Sequence, residues 1–327
     1  MTTIRFKMSS AAAISACLAV IMFASCKKDP KILDLNGTVA ISPAANALTG
    51  DVLTASYNGS ETVTITWQWN KDAAAIANAT SDKYTPTEAG SYTVTASAKG
   101  FNSKTSATAV EVRLAIFLLE ERQTNHWRFV YEYDDQDRLT KISWYSNNGQ
   151  LHYVGTFRYN AADGHMEEVK WEFIQSQSNR NDTWTKNSNK VKCTYENGGY
   201  EEYELNPQGF PLKHTSNDAS LYTRNFTWEN GNITQDVWVE GSNTYINIYT
   251  YDDKKSPFYH SKTPKWVLDF YVGGYEEGVS LVSNNNIKTF TWDGGTPSTY
   301  EYEYNADGFP TSQKCGTYTE TYTYKKR

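Results

Sequence analysis

Cysteine and histidine are scarce in this chain, and their scarcity removes several kinds of chemistry. There are four Cys and five His among 327 residues. Cys17 and Cys26 lie in the N-terminal segment, so only Cys193 and Cys315 belong to the folded part. They are far apart in sequence, and their pairing stays open. Neither has a Cys or His neighbour at zinc-ligand spacing. His126, His152, His165, His214 and His260 have no partner two or four residues on, so no metal site is expected. Glycine-rich phosphate cradles are missing, and no cofactor is expected. "DDQD", Asp134 to Asp137, lacks the alternating frame of a calcium loop and reads as a turn. Basic residues are outnumbered, 31 against 37, for a net charge of −6. Such a chain does not seek nucleic acid or anionic lipid by charge.

Long apolar runs are missing too, with one exception. Ala11 to Ala24 is uncharged and follows Arg5 and Lys7. It is too short for a stable membrane span and has the layout of a secretory signal. Ala24 and Ser25 then precede Cys26, with Phe23 where Leu is commoner. This arrangement resembles the lipobox of bacterial lipoproteins. The resemblance implies a signal peptide over 1–25, a lipid-modified Cys26, and a polar tether over 26–36. The membrane is then a partner through the acyl chains on Cys26. Lys27 and Lys28 follow, without the Asp of inner-membrane retention. The expectation is an outer-membrane lipoprotein, with its side, periplasmic or surface, left open.

What the sequence does have is aromatic residues, 14% of the chain, with 24 Tyr and 10 Trp. From 37 to 112 they stand among short Thr-, Val- and Ala-rich strands such as "VTITWQWN" and "SYTVTASA", separated by turns. That spacing predicts a β-sandwich. Trp67 and Trp69 share one face, and Gly90 and Tyr92 resemble a tyrosine corner with Val94 in place of its Cys. The segment thus resembles bacterial immunoglobulin-like domains without the disulfide.

From 113 to 327 one phrase recurs: an aromatic residue, Asp or Asn, two variable residues, then Gly or a polar residue. It appears as "YDDQDRL" from Tyr133, "YNAADGHM" from Tyr159, "LNPQGFP" from Leu205, "YDDKKSP" from Tyr251 and "YNADGFP" from Tyr304. Shorter copies start at Trp228 and Trp292. Asp and Asn close such turns by bonding the backbone two residues on. The flanks alternate with period two: Phe129, Tyr131 and Tyr133 share a side, as do Tyr300, Tyr302 and Tyr304. No amphipathic helix shows in this half. The expected fold is all-β, an immunoglobulin-like sandwich followed by an antiparallel, twisted or rolled sheet of hairpin repeats.

"YDDQDRLTKI" resembles the YD repeat of RHS-type proteins, with Asp137 in place of the consensus Gly. The whole second half looks like a domain of unknown function common in Bacteroidota lipoproteins, built from degenerate copies of that unit. The resemblance implies a location and a fold and brings no catalytic residues. No enzyme is therefore expected. The expected role is a binding or interaction module for a glycan or an envelope protein. A structural envelope scaffold and, more remotely, a hydrolase are the alternatives. Parity singles out two candidate ligand-binding residues. Trp238 points away from Val237 and Val239, and Trp144 away from Tyr145. If the valines and Tyr145 are core, both indoles face solvent as platforms.

Overall fold

In the computed structural model, residues 32–217, 221–273 and 279–327 are described. The segment read as a signal peptide and Cys26 lie outside them. The chain divides into two compact units, one ending at Arg113 and one starting at Leu114.

The first unit is built from two sheets. Val39–Ser42, Leu53–Tyr57 and Lys83–Tyr84 form one, antiparallel throughout. Thr66–Lys71, Gly90–Ser97 and Val110–Arg113 form the centre of the other, with Ala47–Leu48 and Ala74–Ala75 at its edges. Gly90–Ser97 alternates buried Tyr92, Val94 and Ala96 with more exposed neighbours, as one buried sheet face requires. Trp69 is fully buried at the middle of the core, and the half-buried Trp67 packs on the same core. The Tyr92 hydroxyl donates to the Glu88 carbonyl at 2.8 Å, which fixes the chain's corner into that strand.

The second unit is a closed antiparallel barrel. Among the described residues seventeen strands follow each other around it in sequence order. The last, Tyr318–Lys326, pairs with the first, Phe117–Thr124, and closes the ring. One strand is interrupted at Tyr300: Ser298–Thr299 pairs with Asn285–Trp292, and Glu301–Tyr304 pairs with Pro310–Cys315. Closure removes the exposed edges that a rolled but open sheet would present.

The recurring phrase supplies the barrel's construction rule. At the longer copies an Asx side chain accepts two backbone N–H groups, as three of them show. Asp134 takes those of Gln136 and Arg138, Asn206 those of Gln208 and Phe210, and Asn305 those of Asp307 and Phe309. Gly209 and Gly308 hold the left-handed backbone that these turns need, at φ 83° and 80°. Asp137 takes the same role at φ 63°, a conformation that Asp tolerates better than most residues.

The aromatic residue before each turn has its own task. A bulge falls immediately before Tyr133, Tyr159, Leu205, Trp228, Tyr251 and Tyr304. A bulge bends the strand and adds twist, which a closing wall requires. The aromatic polar tip then bonds a carbonyl near the start of the preceding strand. Tyr133 donates to Leu119, Tyr159 to Leu139, Trp228 to Pro211 and Tyr251 to Ile233, at 2.5–2.9 Å. Repetition in the sequence is thus repetition of one joint: turn, bulge and tie to the neighbouring strand.

The faces are sorted opposite to those of a membrane barrel. Glu132, Lys141, Thr156, Lys170 and Asn181 form one cross-strand row on the outside. Lys192, Glu202, Thr215 and Thr223 form another. A lipid-facing wall carries an apolar band there. Most aromatic residues of this barrel point into the lumen instead.

Between Asn243–Lys255 and Asn285–Trp292 the chain leaves the wall and enters the lumen. It runs there as Lys265–Val267, an α-helical turn, continued by the π-helical Leu268–Val272. No helix was expected in this half. Trp266, Val267, Leu268, Asp269, Tyr271 and Val272 are all buried, so the segment has no polar stripe to give period 3.6 a signal.

Candidate functional site

The inserted segment acts as a plug. It enters from the barrel end that carries the Asx turns, where the Lys262 N–H donates to the Asp137 carbonyl and the Leu139 N–H to Thr263 Oγ1. Trp266, Val267 and Leu268 belong to one apolar core with Ile142, Phe157, Met166 and Val169, and the Trp266 ring meets Trp184 at 4.5 Å. Beyond the plug the lumen is not filled.

A cavity of about 450 Å³ remains at the other end. Its floor is the plug, from Asp269 to Gly273, and its walls carry Trp127, Phe129, Trp144, Trp171, Tyr203 and His214. The guanidinium groups of Arg122, Arg180 and Arg224 also reach it. The size and the mixture of aromatic walls with a few polar groups suit a small ligand.

Each polar group in this region has an assigned partner or an open position. Arg224 Nη2 donates to Asp236 Oδ2 at 2.7 Å, and Nη1 reaches Asp269 at 3.4 Å. Burial works against the Arg224 charge, but Asp269 and Asp236 outweigh it and hold its pKa above the ordinary arginine value. The Tyr203 hydroxyl donates to Asp269 Oδ2 at 2.7 Å. Burial first, then the Asp269 charge, pushes the Tyr203 pKa well up, so the hydroxyl stays a donor. Trp184 Nε1 donates to the Tyr271 hydroxyl at 2.7 Å, and that hydroxyl donates to Asp182 Oδ2 at 3.0 Å. Arg180 Nη2 donates to the same oxygen at 2.7 Å from a half-exposed side chain. These bonds anchor the plug to the wall, and they satisfy its charges.

Three nitrogens on the cup are buried and unsatisfied. Trp144 Nε1, Trp171 Nε1 and His214 Nδ1 have no hydrogen-bond partner. His214 is held by its other nitrogen, Nε2, at 2.7 Å from Glu201 Oε2, and its ring lies flat on Tyr203 at 4.1 Å. An orphaned buried donor costs about 1–3 kcal/mol. The three residues that carry these atoms all line this cavity, which makes them its candidate ligand contacts. The Trp171 ring lies over Gly155, whose absent Cβ would stand 2.8 Å from it, so the glycine makes room for this indole.

The two tryptophans singled out by parity both face inward, and the outward-platform expectation is corrected. Trp238 does lie opposite Val237 and Val239, but the valines are on the outer wall. Its ring packs on Tyr222 at 4.9 Å, and it does not line the cavity. Trp144 lies opposite Tyr145, which is outside beneath the Arg128 guanidinium. Trp144 meets Phe129 and Tyr153 edge-on and lines the cavity. In a closed barrel the aromatic face is the lumen, so the face with more aromatics was the inner one.

Sequence reasoning missed Trp171, His214 and the arginines. The signal was there in "YTRNFTWE", which puts Arg224 on the same side as Tyr222 and Phe226. A charge on an aromatic face is a buried charge, and buried charges mark networks. Cys193 and Cys315 are both free thiols. Burial pushes the Cys193 thiol up to about 12, so it is inert in the lumen. Among the described residues no three His, Cys, Asp or Glu converge on a metal position.

No family model matches the chain, and no curated protein matches it. Among solved structures, a porin-like protein from Bacteroides uniformis is similar over 63% of this chain and 96% of its own, with 16% identity and a TM-score of 0.30. The TcdB2–TccC3 structure is similar over 69% of this chain and 14% of its own, with 12% identity and a TM-score of 0.26. Likenesses at these scores carry no argument about what this chain does or where it does it.

Proposed function

We propose that this chain is a lipid-anchored, non-enzymatic binding protein whose barrel takes a saccharide into the cup at the end of its lumen. One observation carries the reading: Trp144 and Trp171, whose buried indole N–H groups have no partner, both line a cavity walled by aromatic rings. Sugar rings offer what such a site lacks. Their hydroxyls accept from indole N–H groups, and their C–H faces pack on aromatic surfaces. Asp269 is the one carboxylate among the described lining residues, and Arg224 and Tyr203 engage it. Glycoside hydrolysis ordinarily uses two carboxylates across the scissile bond, so binding without cleavage suits this lining better.

The test is a glycan array probed with the mature chain, residues 27–327. Trp144→Phe and Trp171→Phe each keep a ring and remove an N–H. Each is expected to weaken a hit by about tenfold, the worth of one hydrogen bond. Trp238→Phe is expected to leave it unchanged. A hit indifferent to both cup variants would contradict the site. The first unit, read as an immunoglobulin-like spacer, would hold the barrel away from the membrane. Cys26→Ser is expected to release the protein from membranes of the producing cell, and an unchanged membrane fraction would sink the anchor.

A scaffold role is a second reading with its own observation. Val237, Val239, Ile246 and Ile248 form an apolar strip on the outer wall, with Ile248 47% exposed. A blank array together with capture of an envelope protein through this strip would favour it.

A further inference from the structure

The cup's charges have a consequence for which saccharide it accepts. Three cations reach the lining, and each is already opposed. Arg122 faces Glu320 at 3.6 Å, Arg180 holds Asp182, and Arg224 holds both Asp236 and Asp269. Three guanidinium groups thus face four carboxylates, for a formal balance of −1. The buried His214 is likewise opposed, by Glu201 at 2.7 Å. The lining looks basic by residue type, yet it has no uncompensated positive charge to offer an anion.

The open hydrogen-bonding positions agree. The two indoles are donors only. With Glu201 Oε2 at its Nε2, His214 has Nδ1 as its second polar position. A hydroxyl accepts from an indole N–H and brings no charge with it. A carboxylate can only accept, and it would enter a partly desolvated cup beside Asp269. Like charges at such range repel strongly where water is excluded.

We infer that the cup selects a neutral, hydroxyl-rich sugar residue and rejects the uronic acid of the same skeleton. This rests on the saccharide reading above and narrows it. Discrimination of this kind is steep, because a site built around hydroxyl contacts leaves its own polar groups unpaired when the wrong ligand enters.

The probes are matched pairs of methyl glycosides: glucoside and glucuronide, galactoside and galacturonide, mannoside and mannuronide. Binding to the intact mature chain is read by tryptophan fluorescence at neutral pH. At least one neutral member is expected to bind, at least about tenfold more tightly than its uronide. Trp171→Phe should weaken that neutral member and leave the circular-dichroism spectrum unchanged. If a uronide binds as tightly as its neutral partner or more so, the charge inference is overturned while the saccharide reading stands. If neither member of any pair binds, the saccharide reading itself fails, and this inference fails with it.

Discussion

Arg224→Ala is expected to destabilise the barrel by about 3–5 kcal/mol, seen as a lower urea midpoint for the second unit. The side chain is nearly inaccessible, and it ties two elements that share no covalent proximity. Asp236 is on the wall strand Asn232–Glu240, and Asp269 is on the plug. Removing the guanidinium leaves two carboxylates buried without a counter-charge, and the loss reflects that more than the worth of the ion pairs. The sign with pH follows. Without Arg224 the two carboxylates hold protons more readily in the folded state than in the unfolded chain. The variant then gains stability relative to wild type as pH falls towards the ordinary carboxylate range. A loss under about 1 kcal/mol, or a loss that does not shrink in acid, would mean that the plug is held by packing alone.

Trp69→Ala is expected to cost the first unit about 3–5 kcal/mol, the usual range for emptying a large aromatic site. Its indole is fully buried, stacks on Tyr84 at 5.8 Å, and donates from Nε1 to the Ser81 carbonyl at 2.9 Å. The unit is small and has no cysteine among its described residues, so this loss takes most of an ordinary domain's stability. The two cores share no residue. Calorimetry should therefore show the first unit's transition moving down or vanishing while the barrel's transition keeps its temperature. A single transition shifted as a whole would show that the units unfold together.

Much of the barrel was legible in the sequence, because its rule is local. Period-two alternation gave the strands, and the Asx turns gave the hairpins. "YNADGFP" places bulge, turn and Gly308 within one short window. Two things were not legible. Whether the sheet closes depends on Tyr318–Lys326 meeting Phe117–Thr124, a pairing across the whole unit that no local pattern encodes. The inside and the outside follow from closure, so Trp238 had the correct parity and the wrong side. The plug was hidden for a related reason. A segment surrounded by wall on every side needs no polar face, and "KWVLDFYV" then looks like a strand or a core run. The cup inherits both difficulties, since its walls need the closure and its floor needs the plug.

The central claim is that ligand oxygens meet the orphaned indole nitrogens of Trp144 and Trp171. The most direct measurement is a titration of the uniformly 15N-labelled mature chain with the neutral methyl glycosides, following the indole N–H resonances. The account predicts that the Trp144 and Trp171 resonances move together and saturably. Those of Trp69, Trp184 and Trp228 should stay in place, since Ser81, Tyr271 and Pro211 already hold their N–H groups. Binding that moves the resonance of the half-exposed Trp292, which stacks on Tyr245 and does not line the cup, and leaves the two cup indoles still would contradict it.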